Sequence, residues 1–194
     1  MTDIPLLIGI DIGGTAIKAT LTDSTGSLLT AISTPTLDIA GQDNSPVWKA
    51  SVKRLIEELE KKAPEQITAI GISTPGTVDP THSQVISNGT KMLGIEGHNW
   101  SEYLNRKTFV INDAHAALYA ESRIGAAKGY REVVMLTLGT GVGGAILIND
   151  QIYQGQVGRG GHLGHMSVSD DSLLDIVRTP GSLEDAIGEG TVKQ

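Results

Sequence analysis

A strand, a glycine turn and a returning strand occur twice in this chain, 126 residues apart. Leu6-Leu-Ile-Gly-Ile-Asp-Ile12 reads as a short buried strand, Gly13-Gly14 as a tight turn, and Thr15 to Thr22 as a strand coming back with alternating apolar positions. The pattern returns with Glu132 to Leu138, the turn Gly139-Thr-Gly-Val-Gly-Gly144 and the strand Ala145 to Asn149, and Thr137 stands where Asp11 stood. Such an internal repeat predicts two related lobes facing one cleft. Either turn alone is an ordinary hairpin connection. As a pair they suit a polyphosphate, because glycine lets backbone N–H groups approach an anion without obstruction by side chains.

Between the repeats the pattern changes period. Ser27 to Thr34 completes a three-strand meander, and Ser45 then caps a helix with Pro46 at its first position, Val52, Leu55, Ile56 and Leu59 on one face, and an end before Pro64. A strand at Ile67 to Ser73 precedes a weakly patterned stretch from Thr74 to Asn99, and a short helix follows at Trp100 to Asn105. Long irregular stretches in domains are often functional. Thr108 to Ile111 is a brief strand leading into a helix from Ala114 to Arg123, whose Ala116, Ala117 and Ala120 permit close packing. Gly125 and Gly129 end that unit and set the expected boundary, with a first lobe over 1–128 and a second over 129–194. After the second hairpin only a glycine-rich stretch, Gly155 to His165, and a short helix, Ser182 to Ile187, remain, so the second lobe looks unfinished.

Composition removes several functions. A chain of 194 residues with 39% hydrophobic side chains can bury a sizeable core, and its 22 acidic against 15 basic residues, without a basic run, give nothing that attracts nucleic acid or anionic lipid. Cysteine is absent, which excludes disulfides, thiolate zinc sites and a cysteine nucleophile. Leu6 to Ile10 is too short for a signal or membrane segment, so a cytoplasmic location is expected.

The chemistry-bearing residues gather around the turns. Thr15, Thr137 and Thr140 add hydroxyl donors, Lys18 a charge, and Asp11, at a strand end beside its turn, can hold magnesium through water. The turns match neither a Walker motif nor a dinucleotide fingerprint, since each joins strand to strand. Asp113 begins a helix whose dipole favours the ionised carboxylate; it suits a helix cap and equally a general base for a hydroxyl nucleophile. His162 and His165, with Asp170 and Asp171 nearby, lack a third ligand at metal spacing and are read as hydrogen-bonding histidines. His82, His98 and His115 are read as structural or surface residues, and Glu184 as a dipole partner in the first turn of its helix.

Asp11-Ile-Gly-Gly-Thr15, Asn112-Asp113-Ala-His-Ala-Ala117, Leu138-Gly-Thr-Gly-Val-Gly-Gly144 and Gly161-His-Leu-Gly-His165-Met together resemble the ROK family of bacterial sugar kinases and sugar-responsive repressors. The resemblance implies an α/β, actin-like ATPase (ribonuclease H-like) fold, with a complete first lobe and the start of a second. It implies an ATP- and magnesium-dependent kinase that moves the γ-phosphate to a hydroxyl, at C6, of a hexose or N-acylated hexosamine. By the same resemblance Asp113 is the base and Asn112 orients the sugar. Gly13, Gly14 and Thr15 form the first phosphate loop, and Gly139, Thr140, Gly141 and Gly143 the second. Gly76, His165 and Glu184 lie near the sugar. Sugar and ATP are the implied partners, with no nucleic acid or membrane, and a homodimer is left open.

Three departures qualify the resemblance. The family's usual Gly-Glu-x-Gly-His reads Gly161-His162-Leu-Gly-His165 here, which puts an imidazole, His162, where a sugar-binding glutamate stands and leaves the choice of hexose open. The cysteine-rich zinc motif is missing, and Gly-Cys-x-Glu appears as Gly181-Ser182-Leu-Glu184, so structural zinc is not expected. The chain also ends at Gln194, ahead of the family's adenosine-contacting glycines and C-terminal helix. No helix-turn-helix segment precedes Leu6, so the kinase branch is expected over the repressors. The alternative is a catalytically silent sugar- or nucleotide-binding protein, or an inactive fragment.

Overall fold

Alternating apolar residues build the first strand, β1 (Leu6–Ile12), which buries Leu6, Ile8, Ile10 and Ile12 on one face and leaves Leu7, Gly9 and Asp11 on the other. In the computed structural model, residues 4–39, 41–88, 92–139, 141–172, 174–175 and 177–188 are described. They fall into two units, Met1–Asp113 and Ala114–Gln194. In the first, β1 pairs antiparallel with β2 (Ala16–Asp23), which pairs with β3 (Leu28–Pro35), and runs parallel to β4 (Ile67–Thr74). Strand β7 (Thr108–Asn112) lies parallel outside β4, giving the five-stranded order β3-β2-β1-β4-β7.

Helix α1 (Ser45–Lys62) buries Trp48, Val52, Leu55, Ile56 and Leu59 in one core with the inward face of β1. At about 1.5–3 kcal/mol for each large apolar side chain buried, this face outweighs helix propensity in holding α1 in place. The chain leaves the helix at Ala63, whose extended ψ of 130° is what the following Pro64 demands. The expected N-cap is corrected by one residue. Asn44 holds that position, and Ser45 is already helical because Asp43 Oδ1 accepts from its amide at 2.9 Å. The Asn44 side chain donates instead to the Leu37 carbonyl.

The stretch read as irregular contains a small hairpin, β5 (Thr77–Val78) with β6 (Val85–Ser87). Asp79 builds its tip by accepting from the amides of Ser83 and Gln84, both at 2.8 Å. Burial pushes the Asp79 carboxyl up, but the hydroxyl of Thr81 and the amides of Gln84 and Ser83 bring it down to about 2. His82 then binds the edge of β7, exchanging its carbonyl and ring Nδ1 for the Val110 amide and carbonyl at 2.8 Å each. The short helix α2 (Trp100–Leu104) follows, capped by the side chain of Asn99.

The second unit is simpler. Strands β8 (Glu132–Leu138), β9 (Val142–Ile148) and β10 (Gln151–Ile152) form an antiparallel sheet in the order β10-β9-β8. Helix α3 (Asp113–Ile124) packs Ala114 and Leu118 against Ala145 and Leu147 of β9. The division expected at 128/129 keeps this helix with the first lobe, whereas its buried side chains join the core of the second unit. Ala116 and Ala117 are only half-buried and Ala120 is exposed, so the close packing falls on Ala114 and Leu118 rather than on the positions expected. Val134, Leu136 and Leu138 of β8 are exposed on the opposite face. A 3-10 turn over Leu163–His165 and helix α4 (Leu183–Ile187), capped by Ser182, complete the described part. Among the described residues no helix is long and apolar enough to cross a membrane.

Candidate functional site

Three parallel strands of the first unit, β1, β4 and β7, end at one edge of the sheet, and ligands of open α/β sheets bind outside such carboxyl ends. Asp11 ends β1 on the face turned away from the α1 core, opposite Lys18 on β2 and Ser73 on β4. The Ser73 hydroxyl donates to Asp11 Oδ1 at 2.8 Å, which fixes the carboxylate without neutralising it. Asn112 ends β7 and is buried; its Nδ2 donates to the Gly76 carbonyl at 3.0 Å. Gly76 occupies φ +98°, and a side chain there would press on the Ser87 carbonyl and the Asn88 side chain, so the turn after β4 requires glycine. Asp113, next after Asn112, is exposed at the first turn of α3. The structure thus gathers Asp11, Lys18, Gly76, Asn112 and Asp113 at neighbouring strand ends.

The first glycine turn is closed by Gly13 N donating to the Ala16 carbonyl at 3.1 Å. Gly14 and Thr15 are exposed, and a side chain added at Gly14 would meet nothing within 4 Å, which leaves room for an anion at their amides. Thr36, which the sequence analysis did not single out, braces this turn. It is wholly buried, its hydroxyl donates to the Gly13 carbonyl, and its amide donates to the Thr15 carbonyl at 3.0 Å.

The second turn is shorter than the sequence indicates. Gly143 and Gly144 belong to β9, paired with Thr137 and Leu136, so the connection spans 139–141 only. Thr140 lies outside the described residues. Gly139 N donates to the Gly141 carbonyl at 3.0 Å, and the space beside Gly139 is open. Thr137 is half-buried with its hydroxyl beside Gly143. Glu184 lies against Gly141, and its Oε2 accepts from the Val142 amide at 2.9 Å. The glutamate expected near a sugar therefore also buttresses the glycine turn, and any side chain at Gly141 would strike it.

His162 and His165 flank the 3-10 turn. The Nε2 of His162 is buried and meets no hydrogen-bond partner among the described residues. Burial and the rings of His115 and His165 hold its pKa below the ordinary imidazole value, so the ring favours its neutral form. His115 is buried and joins the Gly160 carbonyl through Nε2 at 2.8 Å, while the His165 ring Nδ1 meets Asp175 Oδ2 at 2.9 Å. Among the described residues no group of three or more His, Cys, Asp or Glu side chains is arranged to hold a metal ion.

The family model of ROK proteins matches residues 7–181. The chain belongs to the ROK family. It is 30% identical over 188 residues to a glucokinase of Thermotoga maritima, covering 92% of this chain and 56% of that protein. It is also 30% identical to a xylose repressor of Bacillus spizizenii, over 83% of this chain and 42% of that one. Among solved structures, a ROK family glucokinase from Streptomyces griseus in complex with glucose and AMPPNP superposes with a TM-score of 0.80 at 27% identity, covering 96% of this chain and 58% of the other. The chain spans about half the length of the curated relatives it matches. This ROK chain is a mixed α/β protein with the actin-like ATPase fold, of which it covers part.

Proposed function

We propose that this ROK chain belongs to a sugar kinase that transfers the γ-phosphate of ATP to the C6 hydroxyl of a hexose or N-acylated hexosamine. The observation that carries the reading is the Asn112-Asp113 pair, with Asn112 buried and tied to Gly76, and Asp113 exposed at the start of α3. Buried Asn112 fixes the backbone from which Asp113 projects, and an exposed carboxylate can receive a proton from a bound hydroxyl. The deprotonated oxygen then bonds to phosphorus as the bridge to the leaving diphosphate breaks. Phosphoryl transfer asks chiefly for position and charge stabilisation.

Each glycine turn, taken by itself, has room for a phosphate contact, and the reading assigns both to the nucleotide. Open space beside Gly14 and Gly139 is room for phosphate oxygens, with Lys18, Thr15, Thr137 and Thr140 as further donors. Asp11, with one oxygen engaged by Ser73, offers a single carboxylate, which suits magnesium held through water rather than a cage of protein oxygens. That ion, when bound, would neutralise phosphate charge. His162, His165 and Glu184 are assigned to the sugar.

ADP release from the 194-residue chain with magnesium-ATP, assayed against glucose and N-acetylated hexosamines, tests the proposal. Sugar-dependent release that falls about 10²–10⁴-fold in Asp113→Asn is expected. Release untouched by that substitution overturns the assignment of the base. A second reading, a sugar-binding protein without turnover, is favoured by His162 in place of the family's glutamate, its pKa held down by burial and its Nε2 without a partner among the described residues. It requires saturable sugar binding with no sugar-dependent ADP release.

A further inference from the structure

The segment after His165 closes on itself around one carboxylate. Asp175 has a fully buried side chain; its Oδ1 accepts from the amides of Val177 at 3.0 Å and Thr179 at 2.7 Å, and its Oδ2 meets His165 Nδ1 at 2.9 Å. Backbone bonds from Asp175 N to the Thr179 carbonyl at 3.1 Å and from Val168 N to the Gly181 carbonyl at 2.8 Å tie the same segment together. Burial pushes the Asp175 carboxyl up, but the Thr179 amide, the His165 ring and the Val177 amide bring it below its ordinary value. An ionised carboxylate only accepts, so the hydrogen of the His165 contact sits on Nδ1. The neutral ring then presents Nε2 as a lone pair.

We propose that Asp175 is a positioning residue that holds His165 in the Nδ1–H form, so that Nε2 accepts a hydrogen bond from a hydroxyl of the sugar. The second half rests on the assignment of His165 to the sugar under the proposed function. The first half stands on the geometry alone. A carboxylate behind an imidazole fixes both its tautomer and its orientation, as it does behind metal-bound histidines. The consequence is a polarity at this position: the ring selects a ligand atom that carries a hydrogen and disfavours a bare acceptor.

Asp175→Asn tests it with little change of shape. The amide oxygen can keep the Val177 and Thr179 contacts, which turns its NH₂ group towards His165 and obliges Nδ1 to accept and Nε2 to carry the hydrogen. Nitrogen-15 spectra of the full 194-residue chain at pH 8.5 should show His165 protonated on Nδ1 in the wild type and on Nε2 in the variant. Glucose, used as the probe, should bind about tenfold more weakly or worse to the variant. A wild-type ring protonated on Nε2 overturns the positioning role without any variant, and so does a folded variant whose ring is unchanged. Glucose affinity equal in the two proteins, with the tautomers exchanged, overturns the contact to the sugar. Absence of glucose binding in the wild type, with the exchange intact, overturns glucose as the ligand of His165 and leaves the positioning role standing.

Discussion

His98 makes the stability of the first unit depend on pH between about 6.5 and 4. Its ring packs edge-on against Trp100 at 4.7 Å and Tyr103 at 5.1 Å, and its Nε2 is buried without a partner among the described residues. Burial, assisted by the charge of Lys49, pushes its pKa from 6.5 down to about 4. The unfolded chain therefore takes up this proton first as pH falls. Stability is complete above about 6.5 and is lost progressively towards 4. A shift of that size corresponds to about 3 kcal/mol at most, and since the ring is only half-buried, screening by water reduces the expected loss to roughly 2 kcal/mol. About 1 kcal/mol of it should appear between roughly pH 7 and 5. Glu58, held below 4.5 chiefly by its Lys62 hydrogen bond, and Asp23, Asp43 and Asp79, held below 3.8, contribute stability that is lost as pH falls from near those values through their lower folded ones, so the comparison with His98→Phe is what isolates the histidine. Urea unfolding followed by tryptophan fluorescence isolates the effect, because both tryptophans, Trp48 and Trp100, are buried in the first unit. His98→Phe should flatten the dependence over this window. An equal pH slope in wild type and variant would refute the reasoning.

Two substitutions probe the supports of the candidate site. Thr36→Val keeps the shape but leaves the Gly13 carbonyl without its donor, so a loss of about 1–3 kcal/mol is expected by urea unfolding, together with weaker ATP binding; unchanged values in both assays would remove Thr36 as a brace. Gly76→Ala forces a side chain into φ +98° against the Ser87 carbonyl at 2.7 Å and should cost roughly 2–3 kcal/mol. Gly71→Ala, with nothing within 4 Å of the new methyl, serves as the neutral control, and equal melting of the two variants would contradict the strain at Gly76.

Period carried most of the architecture into view from the residues alone. The alternation in Leu6–Ile12 and the helical spacing of Val52, Leu55, Ile56 and Leu59 report burial directly, and Pro64 marks an end that Ala63 obeys. The hairpin of Thr77–Val78 with Val85–Ser87 escaped because strands of two and three residues hold no measurable period. Gly143 and Gly144 were read as turn because strand glycines are rare and carry no side chain to show alternation, yet they pair with Thr137 and Leu136. Among the candidate residues, each glycine turn and the pair Asn112-Asp113 are contiguous stretches and therefore stand out as motifs. Their supports do not. Thr36 reaches Gly13, Ser73 reaches Asp11, and Asp175 reaches His165 only through folding, and nothing adjacent to Thr36 or Asp175 distinguishes them from surface polar residues.

The two sheets differ in what they ask of a chain emerging from the ribosome. β8, β9 and β10 are consecutive neighbours, so β9 and β10 each pair with the strand synthesised just before them. β1 must wait: its second neighbour, β4, begins only at Ile67, after β2, β3 and all of α1 have been made. At about 5–20 residues per second, the interval from the end of β3 to the end of β4 is roughly 2 to 8 s. During that time the nascent meander carries the open parallel edge of β1, with Ile8 and Ile10 uncovered until α1 docks. Chaperone demand should therefore concentrate on the first unit, which ends at Asp113.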